Sequence, residues 1–88
     1  MTLHTTSDAR QLGRCLPVLE SGHALLLLGT AVNWHPDLPA PSEIDAIVYA
    51  LKDDLDLTGL EPPAGTQVID YAGWLQLTET HLNHAHWR

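Results

Sequence analysis

The sequence holds one thiol, Cys15, and any sulfur chemistry on this chain must use it. A cysteine that relays sulfur attacks a persulfide as the thiolate and is then attacked in its turn. Exposure and a nearby cation favour the thiolate, and Arg14 is the adjacent cation. The spacing offers a second role. Cys15 stands three residues after Leu12 and four before Leu19, on the apolar face of a helix, where a small buried cysteine is a common core residue. Spacing alone favours burial. A break at Pro17, which deletes a helical hydrogen bond, would instead bring the thiol to a helix end.

His4 falls near the carboxyl end of a short β-branched opening segment, where an imidazole can pass a proton or meet a partner. Its plainer role is a hydrogen bond to a neighbouring loop. His81, His84 and His86 raise the question of a metal. His81 and His84 share a face if a helix runs through them. A tight zinc site needs three or four placed ligands, and there is neither a second cysteine nor a His-Glu-x-x-His pair. Solvated tail histidines are the better reading, and no metal or other cofactor is expected. Asp53, Asp54 and Asp56 lack calcium-loop spacing and read as a solvated helix face, with Asp53 near a sheet edge. Trp74 fits a core stripe, whereas Trp34 and Trp87 lie in irregular segments and are candidate anchors for a partner. No Ser–His–Asp order, Walker loop or G-x-G-x-x-G is present, which argues against a free-standing hydrolase or nucleotide enzyme.

The elements that must position these groups read as α/β. Thr2 to Thr5 is a first strand, and Ser7-Asp8 caps a helix running to about Glu20, with Gly22 past its end. Ala24–Leu28 and Ala46–Leu51 are unbroken apolar runs, which suit parallel strands covered on both faces. The segment between them carries Pro36, Pro39 and Pro41 and reads mainly as loop. Lys52 to Thr58 gives one or two helical turns ended by Gly59. Gln67–Ile69 is a short strand, and Asp70 caps a helix whose stripe is Tyr71, Trp74, Leu75, Thr78 and Leu82. Asn83 to Arg88 reads as a tail. The order implies a small parallel sheet of about four strands flanked by helices. Ligands in such sheets bind beyond the carboxyl ends of the strands. The residues delivered there are His4–Thr6, Gly29–Thr30, Lys52–Asp53 and Asp70–Tyr71.

The chain has 88 residues, enough for one domain over residues 1–88, and a domain this short is marginally stable alone. Eleven acidic residues against four basic ones give a net charge of -7. With Arg10, Arg14, Lys52 and Arg88 scattered, no basic patch is available to grip nucleic acid directly. A single cysteine allows no internal disulfide and suits a reducing cytosol. The opening MTLHTTSDAR lacks the pattern of a signal peptide, and the apolar run Ala24–Leu28 is too short to span a bilayer. A cytoplasmic location without membrane attachment is therefore expected.

Several segments, in this order, resemble the DsrH/TusB family. Leu3-His4-Thr5 is similar to its first strand. Glu20-Ser21-Gly22 with Ala24–Leu28 is similar to its helix end and second strand. Val48–Leu55 with Gly59-Leu60 resembles its third strand and short helix. Val68–Tyr71 with Leu77-Thr78 resembles its last strand and helix, and Trp87 its terminal aromatic. The joint order and spacing carry the resemblance over nearly the whole chain except residues 30–45. It implies a DsrE/F/H-like α/β fold and assembly with DsrE/TusD-like and DsrF/TusC-like subunits into a heterohexamer. It also implies passage of persulfide sulfur between protein cysteines, toward an acceptor of DsrC/TusE type. The Tus branch serves 2-thiouridine formation at the tRNA wobble position, and the Dsr branch serves sulfur oxidation. In both, the main sulfur-carrying cysteine is on the DsrE/TusD-type partner. Cys15 lies where DsrH-type chains carry a cysteine, while some TusB-type chains have none there, so the resemblance leaves it either a relay residue or part of a structural subunit. The sequence departs from the family in its Pro-rich 36–41 stretch, which replaces much of a second helix. It also has Thr58 where an arginine often precedes Gly-Leu.

Overall fold

The computed structural model describes residues 2–15, 19, 23–32, 44, 46–59, 61–62, 65–81 and 83–87, apart from the side chains at 9 and 13. Among the described residues five strands form one sheet: β1 (Thr2–Thr6), β2 (Ala24–Leu27), β3 (Ile47–Leu51), β4 (Gln67–Ile69) and β5 (Asn83–Trp87). Their order is β4-β3-β2-β1-β5, and every pairing is parallel. The described residues also form α1 (Leu12–Cys15), α2 (Lys52–Thr58) and α3 (Tyr71–Thr80), with 3-10 turns at Ala9–Gln11 and Gly29–Val32.

The topology decides which face each connection covers. From β1 to β4 the chain steps three times in one direction across the sheet, and right-handed crossovers then put all three connections on one face. The return from β4 to β5 runs the opposite way, so α3 lies on the other face. The packing agrees. Leu12, Cys15, Ala31, Val32 and Leu55 cluster with Leu25, Leu27, Val48 and Ala50 on the first face. Trp74 and Leu77 of α3 pack on Leu3, Ala24 and Leu26 on the second. β2 sits at the centre with all four residues buried. That is why its sequence shows no polar alternation. Each buried leucine there contributes roughly 1.5–3 kcal/mol.

The α/β class and the parallel sheet are as expected, with a fifth strand added. Asn83–Trp87 is not a tail; it pairs with β1 from Thr2↔Asn83 to Thr6↔Trp87. As an edge strand it is half exposed, and Asn-His-Ala-His-Trp carries too little apolar content to declare itself. The first helix also differs. A 3-10 turn opens it and the α-helix occupies Leu12–Cys15; the expected helix end near Glu20 and Gly22 and the break at Pro17 lie outside the described residues. The loop around Pro36, Pro39 and Pro41 and the indole of Trp34 lie outside them too.

The stripe expected on α3 is a further correction. Tyr71 and Leu75 are 59% and 62% exposed, and the inward contacts are made by Trp74 and Leu77. Tyr71, Trp74, Leu75 and Thr78 instead line a shallow outward groove, with the Tyr71 and Trp74 rings stacked at 6.1 Å. Trp74 lies at helical spacing to both Tyr71 and Leu77, and packing selects Leu77; Leu82, the last residue of the expected stripe, lies outside the described residues.

Candidate functional site at the sheet edge and the thiol

The carboxyl ends of the strands gather short polar segments, and most of their polar atoms hold the loops themselves. Thr6 Oγ1 donates to the Asp8 carbonyl at 3.2 Å, and Leu28 N–H donates to the Thr6 carbonyl at 2.9 Å. Gly29 takes a positive φ of 51°, and its backbone runs so close to Ser7 that a Cβ would sit 3.1 Å from the Ser7 carbonyl oxygen. Its N–H donates to Asp54 Oδ2 at 2.9 Å, tying the loop after β2 to α2. Thr30 Oγ1 donates to the Ser7 carbonyl at 3.2 Å. Arg10 grips the Asp8 carboxylate with Nε and Nη2 and holds its carboxyl below the usual range through that hydrogen bond.

Adjacent strands whose following helices lie on opposite faces open a crevice, and here that pair is β3 and β4. Lys52 and Asp53 flank it from α2, and Asp70 and Tyr71 from α3; all four are exposed. The Asp70 carboxylate is occupied as the α3 N-cap, accepting the Gly73 N–H at 2.8 Å. The three acids of α2 separate by role: Asp54 binds the Gly29 N–H, while Asp53 and Asp56 face solvent.

Cys15 is the last residue of α1, yet it is fully buried, among Leu12, Leu25, Val32 and Val48. Burial pushes its thiol up to about 11 from an ordinary 9.0. Arg14 is exposed to solvent, and burial alone sets the direction for the thiol. The sheet covers the thiol: Cys15 packs on Leu25 and Val48 with no exposed surface.

His4 is in the middle of β1 rather than at its carboxyl end, and it is 6% exposed. Its ring lies between two others. The Trp87 indole Nε1–H donates to His4 Nδ1 at 3.1 Å, and His4 Nε2 meets His23 Nδ1 at 3.1 Å. An indole nitrogen only donates, so His4 Nδ1 is the acceptor and the His4 proton is on Nε2, directed at His23. Burial first, and the neighbouring His23 second, hold the His4 imidazole below its ordinary 6.5. Sequence reasoning missed His23. Its only signal was its position two residues before Leu25, on the same strand face, and that becomes informative only once register is known. Trp87, considered as a partner anchor, packs against the buried cluster beneath α1. The C-terminal histidines split up: His86 pairs with Thr5 Oγ1 at 2.7 Å, and His84 Nε2 donates to the Thr78 and His81 carbonyls at 3.2 and 3.0 Å. Among the described residues no group of three His, Cys, Asp or Glu side chains converges on a point where a metal could sit.

A five-stranded, all-parallel sheet with helices on both faces, a capped carboxyl edge and one buried thiol defines a small doubly wound α/β domain. Comparison with known proteins narrows that class. The family described as DsrH like protein matches residues 4–84. The chain is 33% identical over 78 residues to Protein TusB of Salmonella dublin, of Salmonella enteritidis PT4 and of Salmonella gallinarum, covering 82% of this chain and 82% of each relative. The chain belongs to the DsrH-like family.

Proposed function

We propose that this chain is a structural subunit of a sulfur-relay complex, in which it shapes the assembly while a partner's cysteine carries the persulfide. Membership of the DsrH-like family supports the relay, and the similarity to proteins named TusB favours the route to 2-thiouridine at the tRNA wobble position over sulfur oxidation. The observation that carries the structural role is the burial of Cys15 together with its thiol at about 11. At neutral pH almost none of such a thiol is thiolate, and the thiolate is the nucleophile. The net charge of -7, with no basic patch, supports a role in which tRNA is held by other components. The whole chain, residues 1–88, acts as one DsrH/TusB-like domain, partnered by DsrE/TusD-like and DsrF/TusC-like subunits and followed by an acceptor of DsrC/TusE type. The site of action is the cytoplasm. Among the described residues no helix is long and apolar enough to cross a membrane, which is consistent with that reading.

The test is sulfur throughput of the assembled complex carrying Cys15→Ala, with labelled persulfide as donor. Throughput equal to that of the unsubstituted complex is the expected result. A collapse of throughput in a complex that still assembles would make Cys15 a relay residue.

A further inference from the structure

The edge strand β5 is held by an unusual set of contacts. It buries little, yet two of its side chains reach across to β1: His86 pairs with Thr5, and Trp87 donates to His4. The second contact depends on an unprotonated atom. Because the indole only donates, it can hold His4 only while Nδ1 has a free lone pair. We propose that β5 is a proton-operated latch: neutral His4 docks the strand through Trp87, and a proton taken up at His4 Nδ1 releases it from the β1 edge.

The surroundings of His4 favour that outcome. From the β2 side it meets His23, whose Nδ1 lies 3.1 Å from His4 Nε2 and whose charge opposes a proton on His4. From β5 it meets Trp87, with Ala85 as its register partner; His84 and His86 lie on the opposite face of the strand. α1 packs over the same sheet face and brings the buried thiol of Cys15, while Arg14 is exposed. Among the described residues His23 is the only charged or titratable group that shifts His4, and no carboxylate compensates an imidazolium there. Protonation therefore sets two N–H donors against each other at the 3.1 Å Trp87 contact. His23 is half-buried and can turn away from a clash, whereas His4 is enclosed in the sheet. The strand that holds Trp87 is the part free to move. Its departure bares the backbone donors and acceptors along β1, an edge that can accept another strand.

The lowered His4 value supports the direction. The folded form binds this proton less readily than an unfolded chain does, so docking is fullest above pH 6.5 and is lost as pH falls below it. The latch is independent of the sulfur-relay reading and stands or falls on its own measurement.

The experiment is hydrogen exchange of the full chain, expressed as protection factors, between pH 7.5 and 5.5. Amides of 83–87 should lose protection several-fold on acidification while those of β2 and β3 keep theirs. His4→Gln supplies an amide oxygen to accept from Trp87 and an amide nitrogen to donate to His23, without a titrating group. In that variant β5 should stay protected at pH 5.5. Nitrogen-detected NMR of the unsubstituted chain reads the same device without a mutation. His4 should be the Nε2–H tautomer at pH 7.5, and the Trp87 indole proton should shift as His4 titrates. A β5 protection that does not change with pH, an equal loss in His4→Gln, or a Nδ1–H tautomer at His4 would each overturn the latch.

Discussion

Cys15 and Gly29 show how little freedom single residues have in this chain. Cys15→Ala opens a sulfur-sized hole in a fully packed region and should lower stability by about 1 kcal/mol in urea titration. Cys15→Ser should lower it by about 1–3 kcal/mol, because the hydroxyl would be buried among leucines and valines without a strong acceptor. The thiol also makes stability depend on alkali. Its folded value is raised, so its contribution is complete below pH 9.0 and is lost as pH climbs toward about 11. Cys15→Ala should flatten that part of the pH–stability curve, and iodoacetamide at pH 8 should label the native chain far more slowly than the unfolded one. Gly29→Ala should cost about 1–2 kcal/mol by thermal unfolding, since the residue has φ +51° and its Cβ would press on the Ser7 carbonyl. The burial of Cys15 was legible from its spacing to Leu12 and Leu19. The partners of His4 were not, because they come from residues 19 and 83 positions away and only strand register unites them.

Among the elements, those with local signals were readable and those defined by tertiary context were not. Gln67–Ile69 occupies the expected residues, α2 ends at Gly59 with φ +69°, and α3 starts behind Asp70. Each has a nearby physical cause: a β-branched run, a left-handed glycine stop, a carboxylate cap. Asp70→Ala should weaken α3 by about 1 kcal/mol, measured by urea unfolding, and Asp70→Asn should recover most of it. β5 escaped notice because an exposed edge strand needs no strong apolar alternation. The inward face of α3 was misread because what it packs against is set by the β4-to-β5 return. Leu75→Gln on its outward face should leave the stability of the isolated chain within about 0.5 kcal/mol.

At the scale of the molecule, charge works against compactness. Eleven acids face four bases, and among the described residues the ion pair is the exposed, local Asp8–Arg10 contact. Net repulsion should dominate. Raising NaCl from about 10 mM to about 150 mM shortens the screening length from about 30 Å to about 8 Å and should raise Tm. A falling Tm would show that attractive pairs outweigh the repulsion. The parallel character of the sheet was legible from its unbroken apolar runs; its width and order were not, since both depend on where β5 docks.

That docking site has a consequence for how the chain acquires its shape. β1 emerges among the first residues of the segment and β5 among the last, with paired side chains 81 residues apart in sequence. The β4-β3-β2-β1 part can zip together by stepwise neighbours, but the final strand must close a loop around everything already formed. Such distant pairings are slow to nucleate. During synthesis β1 therefore waits with one side unpaired until residues 83–87 are available, a time in which a chaperone or a neighbouring nascent chain can reach it before its own fifth strand does.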